Sequence, residues 1–294
     1  MNPSEPRRRL RAVLSGTDCR TFPTVYDPLS ARVAAAVGYE VGFLAGSVAS
    51  NTTLAAPDLI VLTLTEFADQ IRRMMRVSNL SLLVDADHGY GNALNVMRTI
   101  QELEHAGVSA LTIEDTAQPR RFGQSDPSFT DDMSRELISM EEMVGKLGAA
   151  VAARTDPALT IVARTSALWI EDLERTIARI RAYTATGIDA IFLVGLRSLE
   201  QLDAIHAAVK LPLVAPGGVP AKITQQELAA RGVRIRVIGH QPLAAAITAL
   251  RETYAHLMGG GDPAALKSRI ATEQEMETWV NNENYQTWMR DYLK

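Results

Sequence analysis

Four apolar runs in this chain end in side chains that can do chemistry. The first run leads into Asp85 and Asp87 and then into a glycine-rich turn, and the other three end in Glu114, Arg164 and His240. Two carboxylates that face one cavity repel each other unless a cation or a shared proton compensates. A hard divalent cation would do so, and an arginine beside it would hold an anionic substrate. The pattern therefore predicts a metal-assisted site for a small acid.

Magnesium fits these carboxylates best, because it binds through one or two carboxylates and keeps several waters; Mn²⁺ is an alternative. Glu114 is out of phase with its apolar neighbours Leu111 and Ile113. It is therefore expected to face the same polar interior as the aspartates. A second interpretation stays open, in which the carboxylates serve only as helix N-caps and salt bridges.

Arg164 closes a nearly all-apolar strand, where an unpaired guanidinium would be costly. It should pair with a carboxylate such as Glu114, bind a substrate carboxylate, or do both in turn. His240 follows a helix-breaking glycine after the last strand, where a lone histidine could equally be structural.

Two further pairs follow the first two predicted strands. Gly46 and Ser47 could donate backbone N–H groups and a hydroxyl to an oxyanion. Tyr26 and Asp27 end the first strand in the same layer, although Asp27 before Pro28 is equally typical of a helix N-cap.

Eight short apolar runs alternate with helical patterns along the chain. Strands are predicted over residues 21–26, 41–45, 80–86, 110–114, 160–164, 190–194, 213–215 and 235–238. Helices are predicted over residues 30–37, 65–77, 93–105, 139–155, 170–185, 199–208, 225–231 and 241–258. Eight alternations favour the α/β class with a closed (β/α)8 TIM-type barrel, whose strands all end at one mouth. An open doubly wound sheet is the alternative, but the chain carries no dinucleotide fingerprint.

A triple glycine at 259–261 divides the chain into a barrel domain, 1–258, and a helical extension, 259–294. In the extension, helices are expected over residues 263–270 and 272–281, followed by an aromatic tail that another subunit would bury. The longest segment without a pattern, residues 116–135, is expected to be a lid at the barrel mouth or simply disordered.

Composition excludes several classes of protein. The chain has 294 residues, 47% hydrophobic and 22% charged, with a net charge of −4, so neither a nucleic acid nor a membrane is an expected partner. One cysteine, Cys19, rules out an internal disulfide and fits the cytoplasm; it is expected to be inert. The basic start at residues 7–11 is interpreted as a solvated helix end or a flexible lead.

Taken together, these segments resemble the isocitrate lyase / phosphoenolpyruvate mutase superfamily from about residue 14 to residue 258. The resemblance is carried by Tyr26-Asp27-Pro28-Leu29-Ser30-Ala31-Arg32, Gly46-Ser47-Val48-Ala49-Ser50, Asp85-Ala86-Asp87-His88-Gly89-Tyr90-Gly91-Asn92, Thr112-Ile113-Glu114-Asp115 and Ile161-Val162-Ala163-Arg164-Thr165. The Asp-Ala-Asp-His stretch and the Gly239-His240 pair are most similar to the oxaloacetate decarboxylase branch.

The resemblance implies a barrel whose eighth helix swaps between neighbours in a homotetramer built as a dimer of dimers. It implies Asp85 as the direct Mg²⁺ ligand, with Asp58, Asp87 and Glu114 as outer-shell carboxylates that act through water. It further implies that Ser47 and Arg164 bind the substrate's carboxylate and oxyanion, and that His240 contacts the same small α-keto or dicarboxylic acid.

The expected reaction is chosen from those of the superfamily by the positions at which this sequence departs from the superfamily's motifs. Its lyases carry a Lys-Lys-Cys-Gly-His loop, and its phosphonomutases a loop with Lys and Asn; residues 116–135 contain no Cys, Lys or Asn. The expected reaction is therefore metal-dependent decarboxylation of oxaloacetate, or a close β-keto acid, to pyruvate and CO₂. A phosphonate-processing enzyme, a 2-methylisocitrate-like C–C lyase and a non-catalytic barrel are the alternatives.

Overall fold

The computed structural model describes residues 3–118, 136–217 and 223–294, and these form a closed parallel barrel. The eight strands are β1 (Arg20–Phe22), β2 (Val41–Leu44), β3 (Ser81–Asp85), β4 (Ala110–Glu114), β5 (Thr160–Thr165), β6 (Ala190–Leu193), β7 (Leu213–Pro216) and β8 (Val233–Val237). They pair in parallel in the order β1-β8-β7-β6-β5-β4-β3-β2. The ring closes just past β1, where the Val25 N–H donates to the Phe43 carbonyl at 2.9 Å. The predicted (β/α)8 TIM-type barrel of the α/β class is confirmed.

Helices follow the strands as predicted, with ends that shift by at most three residues. The helices of the described residues are α1 (Ser4–Ser15), α2 (Pro28–Val37), α3 (Gly46–Leu54), α4 (Leu64–Met75), α5 (Ala93–Ala106), α6 (Met140–Ala153), α7 (Ala167–Ile170), α8 (Leu173–Thr184), α9 (Leu199–Ala208), α10 (Gln225–Ala230), α11 (Gln241–Met258), α12 (Glu273–Trp279) and α13 (Asn282–Tyr292). Gly38 and Gly107 end α2 and α5 at φ angles of 109° and 99°, which other residues adopt only with strain. Within the described ranges, no helix combines the length and hydropathy that a bilayer crossing requires.

Strand alternation separates two apolar layers. Inward-facing side chains such as Phe43, Leu83, Val162 and Phe192 fill the barrel, and the remaining strand residues pack against the surrounding helices. The inward rows of β3, β4 and β5 change from apolar to polar as they approach the mouth, so the polar ends of these rows face one cavity.

The amino-terminal segment is helix α1, and it closes the bottom of the barrel with Leu10 and Val13. The interpretation of the basic start as solvated or flexible is wrong for Arg7, which is only 3% exposed. Its guanidinium donates to the Val108 carbonyl at 2.9 Å and to the Asp156 carboxylate at 2.7 Å. An arginine can be buried here because carbonyls and carboxylates at the amino ends of the strands satisfy it.

The eighth barrel helix, α11, lies largely away from its own barrel. Over 18 residues it buries only Leu243 and leaves large apolar side chains exposed. In the extension, the first predicted helix is a single 3-10 turn, Pro263–Leu266, and the aromatic tail is the additional helix α13. Of the expected lid, residues 119–135 lie outside the described residues; its first residue, Thr116, pairs antiparallel with Leu137.

Candidate active site

Asp85 is the last residue of β3 and continues the inward row of Leu83. Its carboxylate is 6% exposed. One oxygen accepts hydrogen bonds from the Thr112 hydroxyl at 2.9 Å and from the Asp87 N–H at 3.2 Å, and the other accepts from the Arg164 guanidinium. The sequence pattern did not single out Thr112, although it shares the inward row of Glu114 on β4.

Asp87 is placed by a turn rather than by strand alternation, because β3 already ends at Asp85. Its φ angle is 49°, and Gly89, Tyr90 and Gly91 also have positive φ angles. The turn is held from β4, where the Glu114 N–H donates to the Asp87 carbonyl at 2.8 Å. Such conformations cost about 1–3 kcal/mol for non-glycine residues and concentrate at functional sites.

Burial and the neighbouring charges of Asp85, Glu114 and Asp58 raise the pKa of Asp87 well above its usual range, and Arg164 opposes them. The group of carboxylates thus has more negative charge than one guanidinium neutralises. A bound cation would relieve the repulsion between these carboxylates.

Glu114 and Arg164 are paired residues on neighbouring strands β4 and β5. Glu114 is 2% exposed, and its carboxylate lies 3.2 Å from an Arg164 amino group. Burial disfavours the charged guanidinium, but Asp85, Glu114 and Asp87 outweigh that effect and raise the pKa of Arg164. The Arg164 guanidinium carbon also lies 5.8 Å from the centre of the Phe192 ring.

One atom of Arg164 has no partner within the described part of the chain. Its Nε–H is buried and makes no hydrogen bond there. An unsatisfied buried donor costs about 1–3 kcal/mol, so this N–H is a natural site for a substrate oxygen.

Ser47 and His240 come from opposite ends of the sequence and meet at the mouth, with the Ser47 hydroxyl 3.2 Å from His240 Nε2. Burial lowers the pKa of His240, which favours the neutral imidazole, and the charge of Asp58 opposes the shift. Ser47 lies in the first turn of α3, a helix that the sequence pattern did not predict because its residues carry no amphipathic period.

The start of α3 lies against the carboxylate cluster. A Cβ on Gly46 would lie 2.8 Å from an Asp87 oxygen, so only glycine permits this approach. No side chain caps the helix, which leaves its first N–H groups, with their positive partial charge, for an anion.

Asp58 and Tyr26 are the remaining predicted site residues. Asp58 is partly buried and close enough to shift the pKa values of both Asp87 and His240. Tyr26 lines two grooves beside α2, which also contain Asp27 but none of the residues of the carboxylate cluster. Its neighbour Asp27 is the N-cap of α2, accepting from the Ser30 N–H at 2.6 Å.

No three His, Cys, Asp or Glu side chains in residues 3–118, 136–217 and 223–294 form a complete set of metal ligands. The oxygen donors Asp85, Asp87 and Glu114 nevertheless fit a hard cation that takes one protein carboxylate directly and reaches the others through water. Cys19 is not part of the site: burial raises the pKa of its thiol to about 11, which fits the expectation that it is inert.

Because the polar residues lie where parallel strands end inside a closed barrel, the molecule is an enzyme of the TIM-barrel class. The chain belongs to the phosphoenolpyruvate phosphomutase family, whose model matches residues 10–258. It is 50% identical, over 91% of its length and 90% of the other chain, to an oxaloacetate decarboxylase of Rhodopseudomonas palustris strain BisA53. It is 45% identical, over 100% of its length and 95% of the other chain, to an oxaloacetate decarboxylase of Paraburkholderia xenovorans strain LB400.

A solved structure extends the comparison to a bound ligand. The crystal structure of a phosphonopyruvate hydrolase complex with oxalate and Mg²⁺ superimposes with a TM-score of 0.84 at 28% identity and covers 100% of both chains. The predicted superfamily membership is therefore confirmed.

Proposed function

We propose that this chain is an oxaloacetate decarboxylase that converts oxaloacetate, or a close β-keto acid, to pyruvate and CO₂. The observation that carries the choice of substrate is the similarity to enzymes of that name at 45% and 50% identity over nearly the whole chain. The described site supports it chemically, since a partly buried arginine and an uncapped helix start suit a dicarboxylate.

A divalent cation belongs to this proposal, with Mg²⁺ the preferred ion and Mn²⁺ an alternative. Asp85 would be its direct ligand, and Asp58, Asp87 and Glu114 would hold its water ligands. Bound there, the cation would supply Lewis-acid stabilisation of the negative charge that develops on the substrate.

The chain's own residues would then orient the substrate. Arg164, with its unpaired buried Nε–H, would hold a carboxylate. The Gly46 and Ser47 N–H groups and the Ser47 hydroxyl would donate to the C2 oxygen as it becomes an enolate. His240 would hold the C4 carboxylate so that the C3–C4 bond aligns with the carbonyl π system, and Tyr26 would complete the substrate-binding set. When the C3–C4 bond breaks, CO₂ leaves and the electron pair of that bond enters the enolate. A proton from solvent then adds to C3 and gives pyruvate.

A substrate screen tests the proposal, because decarboxylation of oxaloacetate, hydrolysis of phosphonopyruvate and cleavage of 2-methylisocitrate all release pyruvate. Oxaloacetate, phosphonopyruvate and 2-methylisocitrate are each supplied with Mg²⁺, Mn²⁺ or EDTA, and pyruvate is followed by coupled NADH oxidation. We expect oxaloacetate to be turned over above its spontaneous decay, faster than the other two, and only with metal. Faster turnover of phosphonopyruvate, or no turnover above the spontaneous rate, would reject the proposal.

Asp85→Ala is the matched variant in that screen, and we expect it to abolish metal-dependent turnover. Asp69→Ala is the control, because Asp69 is an exposed acid on α4 whose ion-pair partner within the described residues is Arg72 of the same helix. An Asp85→Ala protein with wild-type turnover would show that the metal assignment is wrong.

The proposal includes a homotetramer, a dimer of dimers in which α11 swaps between neighbours. The exposed apolar stripe of α11 supports it, as does an apolar groove of about 350 Å³ between α2 and the start of α11, lined by side chains such as Leu29, Val33 and Val37. A second copy's α11 would cover such surfaces.

A further inference from the structure

A further carboxylate, Asp115, lies directly behind the site and is fully buried. It follows Glu114 but has the opposite strand parity, so it is outside the inward polar row. Three donors satisfy it: the Thr165 hydroxyl at 2.6 Å, the Ser166 N–H at 3.1 Å and the Tyr183 hydroxyl at 3.0 Å.

These contacts tie β4 to the end of β5. Thr165 and Ser166 are the two residues that follow Arg164, and the Asp115 N–H itself donates to the Arg164 carbonyl at 3.2 Å. Asp115 therefore holds the chain from the Arg164 carbonyl to the Ser166 N–H, directly after the Cα that carries the Arg164 side chain. A buried carboxylate is expensive unless fully hydrogen-bonded, so the arrangement tolerates little displacement.

Tyr183 of α8 anchors this unit to the outer helix layer. Its hydroxyl donates to Asp115 and accepts from Arg179 at 3.1 Å. Arg179 in turn is fixed by the Glu171 carboxylate at 2.9 Å and donates to the Ile138 carbonyl at 3.0 Å. Burial and the Asp115 charge raise the pKa of Tyr183, with Arg179 opposing them, so the phenol keeps the proton that it donates.

We infer that Asp115, Thr165 and Tyr183 are positioning residues for Arg164, which they hold at the distance from Glu114 and Asp85 that suits a substrate carboxylate. This inference rests on the proposed function for the identity of the substrate. The network does not touch the reacting atoms; it acts through the strand end from which Arg164 projects. An arginine that binds the substrate carboxylate before and during the reaction affects ground state and transition state alike. Its misplacement should therefore raise KM more than it lowers kcat.

Tyr183→Phe tests the inference with one oxygen removed, and it leaves Arg179 with its Glu171 and Ile138 partners. We expect the KM for oxaloacetate to rise about 3- to 10-fold with kcat within about twofold of wild type. The Kd for oxalate in the presence of Mg²⁺, measured by calorimetry, should rise by a similar factor.

A second pair of variants separates positioning from stability. Thr165→Ser keeps the hydroxyl and should retain wild-type KM and oxalate affinity, whereas the nearly isosteric Thr165→Val should repeat the Tyr183→Phe effect. Ser81→Ala is the control, because it removes an equally buried hydroxyl, bonded to the Pro6 carbonyl at 2.7 Å, at the opposite end of the barrel. It should lower stability without changing KM or oxalate affinity.

The two proposals can fail separately. Oxalate binding needs no turnover. A wild-type chain that binds oxalate but does not decarboxylate oxaloacetate would therefore reject the proposed function alone. The positioning role would then be tested by the ratio of each variant's oxalate Kd to that of the wild type. Unchanged KM and oxalate Kd in Tyr183→Phe, an equal effect of Ser81→Ala, or a wild-type chain that binds no oxalate would overturn the inference.

Discussion

At the scale of single residues, the contact between Ser47 and His240 joins two site residues that are 193 positions apart in the chain. It brings the start of α3, with its free N–H groups, against the segment that follows β8. The two side chains share one hydrogen bond and should therefore act on the substrate as a unit rather than independently.

We expect Ser47→Ala and His240→Gln each to lower kcat/KM for oxaloacetate by about 10- to 100-fold, and the double variant to lose less than the product of the two. Steady-state kinetics with Mg²⁺ in excess measure this. His105→Gln is the control, because that exposed histidine on α5 bonds only its own helix at Gln101. Fully multiplicative losses would show that the two residues do not cooperate.

At the scale of elements, α1 contributes to the stability of the barrel through one buried side chain, Arg7. Arg7 joins α1 to two helix-to-strand connections, through Val108 between α5 and β4 and Asp156 between α6 and β5. Its removal would leave the Asp156 carboxylate, whose side chain is 21% exposed, without its cation and the buried Val108 carbonyl without its donor.

Arg7→Ala should therefore lower the free energy of unfolding by about 2–4 kcal/mol, less than the about 3–5 kcal/mol for breaking a fully buried pair, because the Asp156 carboxylate is partly exposed. Arg8→Ala on the same helix should change it by no more than about 0.5 kcal/mol, because Arg8 is exposed. Urea unfolding followed by circular dichroism compares the two. An Arg7→Ala protein as stable as Arg8→Ala would mean that the Arg7 contacts do not hold α1 in place.

At the scale of the whole molecule, α11 presents an apolar stripe that its own barrel does not cover. Ile247, Leu250, Tyr254 and Leu257 recur at helical spacing and are each more than 40% exposed. A stripe of this kind on a single chain is the signature of an interface. The division into a barrel of 1–258 and an extension of 259–294 stays a prediction at this scale.

Replacing both Ile247 and Leu250 by Asp should break the α11 interface and lower the mass below that of the proposed tetramer, since burying two carboxylates in an apolar contact is unfavourable. Sedimentation or light scattering gives the mass. Thr248→Asp is the control, because Thr248 lies on the opposite side of α11, near Leu266 and Arg269 of the same chain. A wild-type chain that is already monomeric, or a double variant of unchanged mass, would contradict the proposed assembly.

The sequence by itself determined the barrel and most of the mouth. Apolar runs of strand length alternating with helical periods leave few architectures, and parallel strands that end together bring Asp85, Glu114 and Arg164 to one place without any knowledge of distances. Local rules sufficed because strand alternation and turn glycines depend on neighbouring residues alone.

Only the tertiary structure decided the rest, because it depends on partners that are far away in the chain. Helix α3 has no amphipathic signature, and the position of Asp87 is set by a left-handed turn held from β4. The basic start of the chain carries the pattern of a solvated segment, yet Arg7 is buried because distant carbonyls and carboxylates compensate its charge. The role of Asp115 is equally invisible in the sequence, since its three donors come from β5, from the residue after β5 and from α8, and only folding brings them within hydrogen-bond distance.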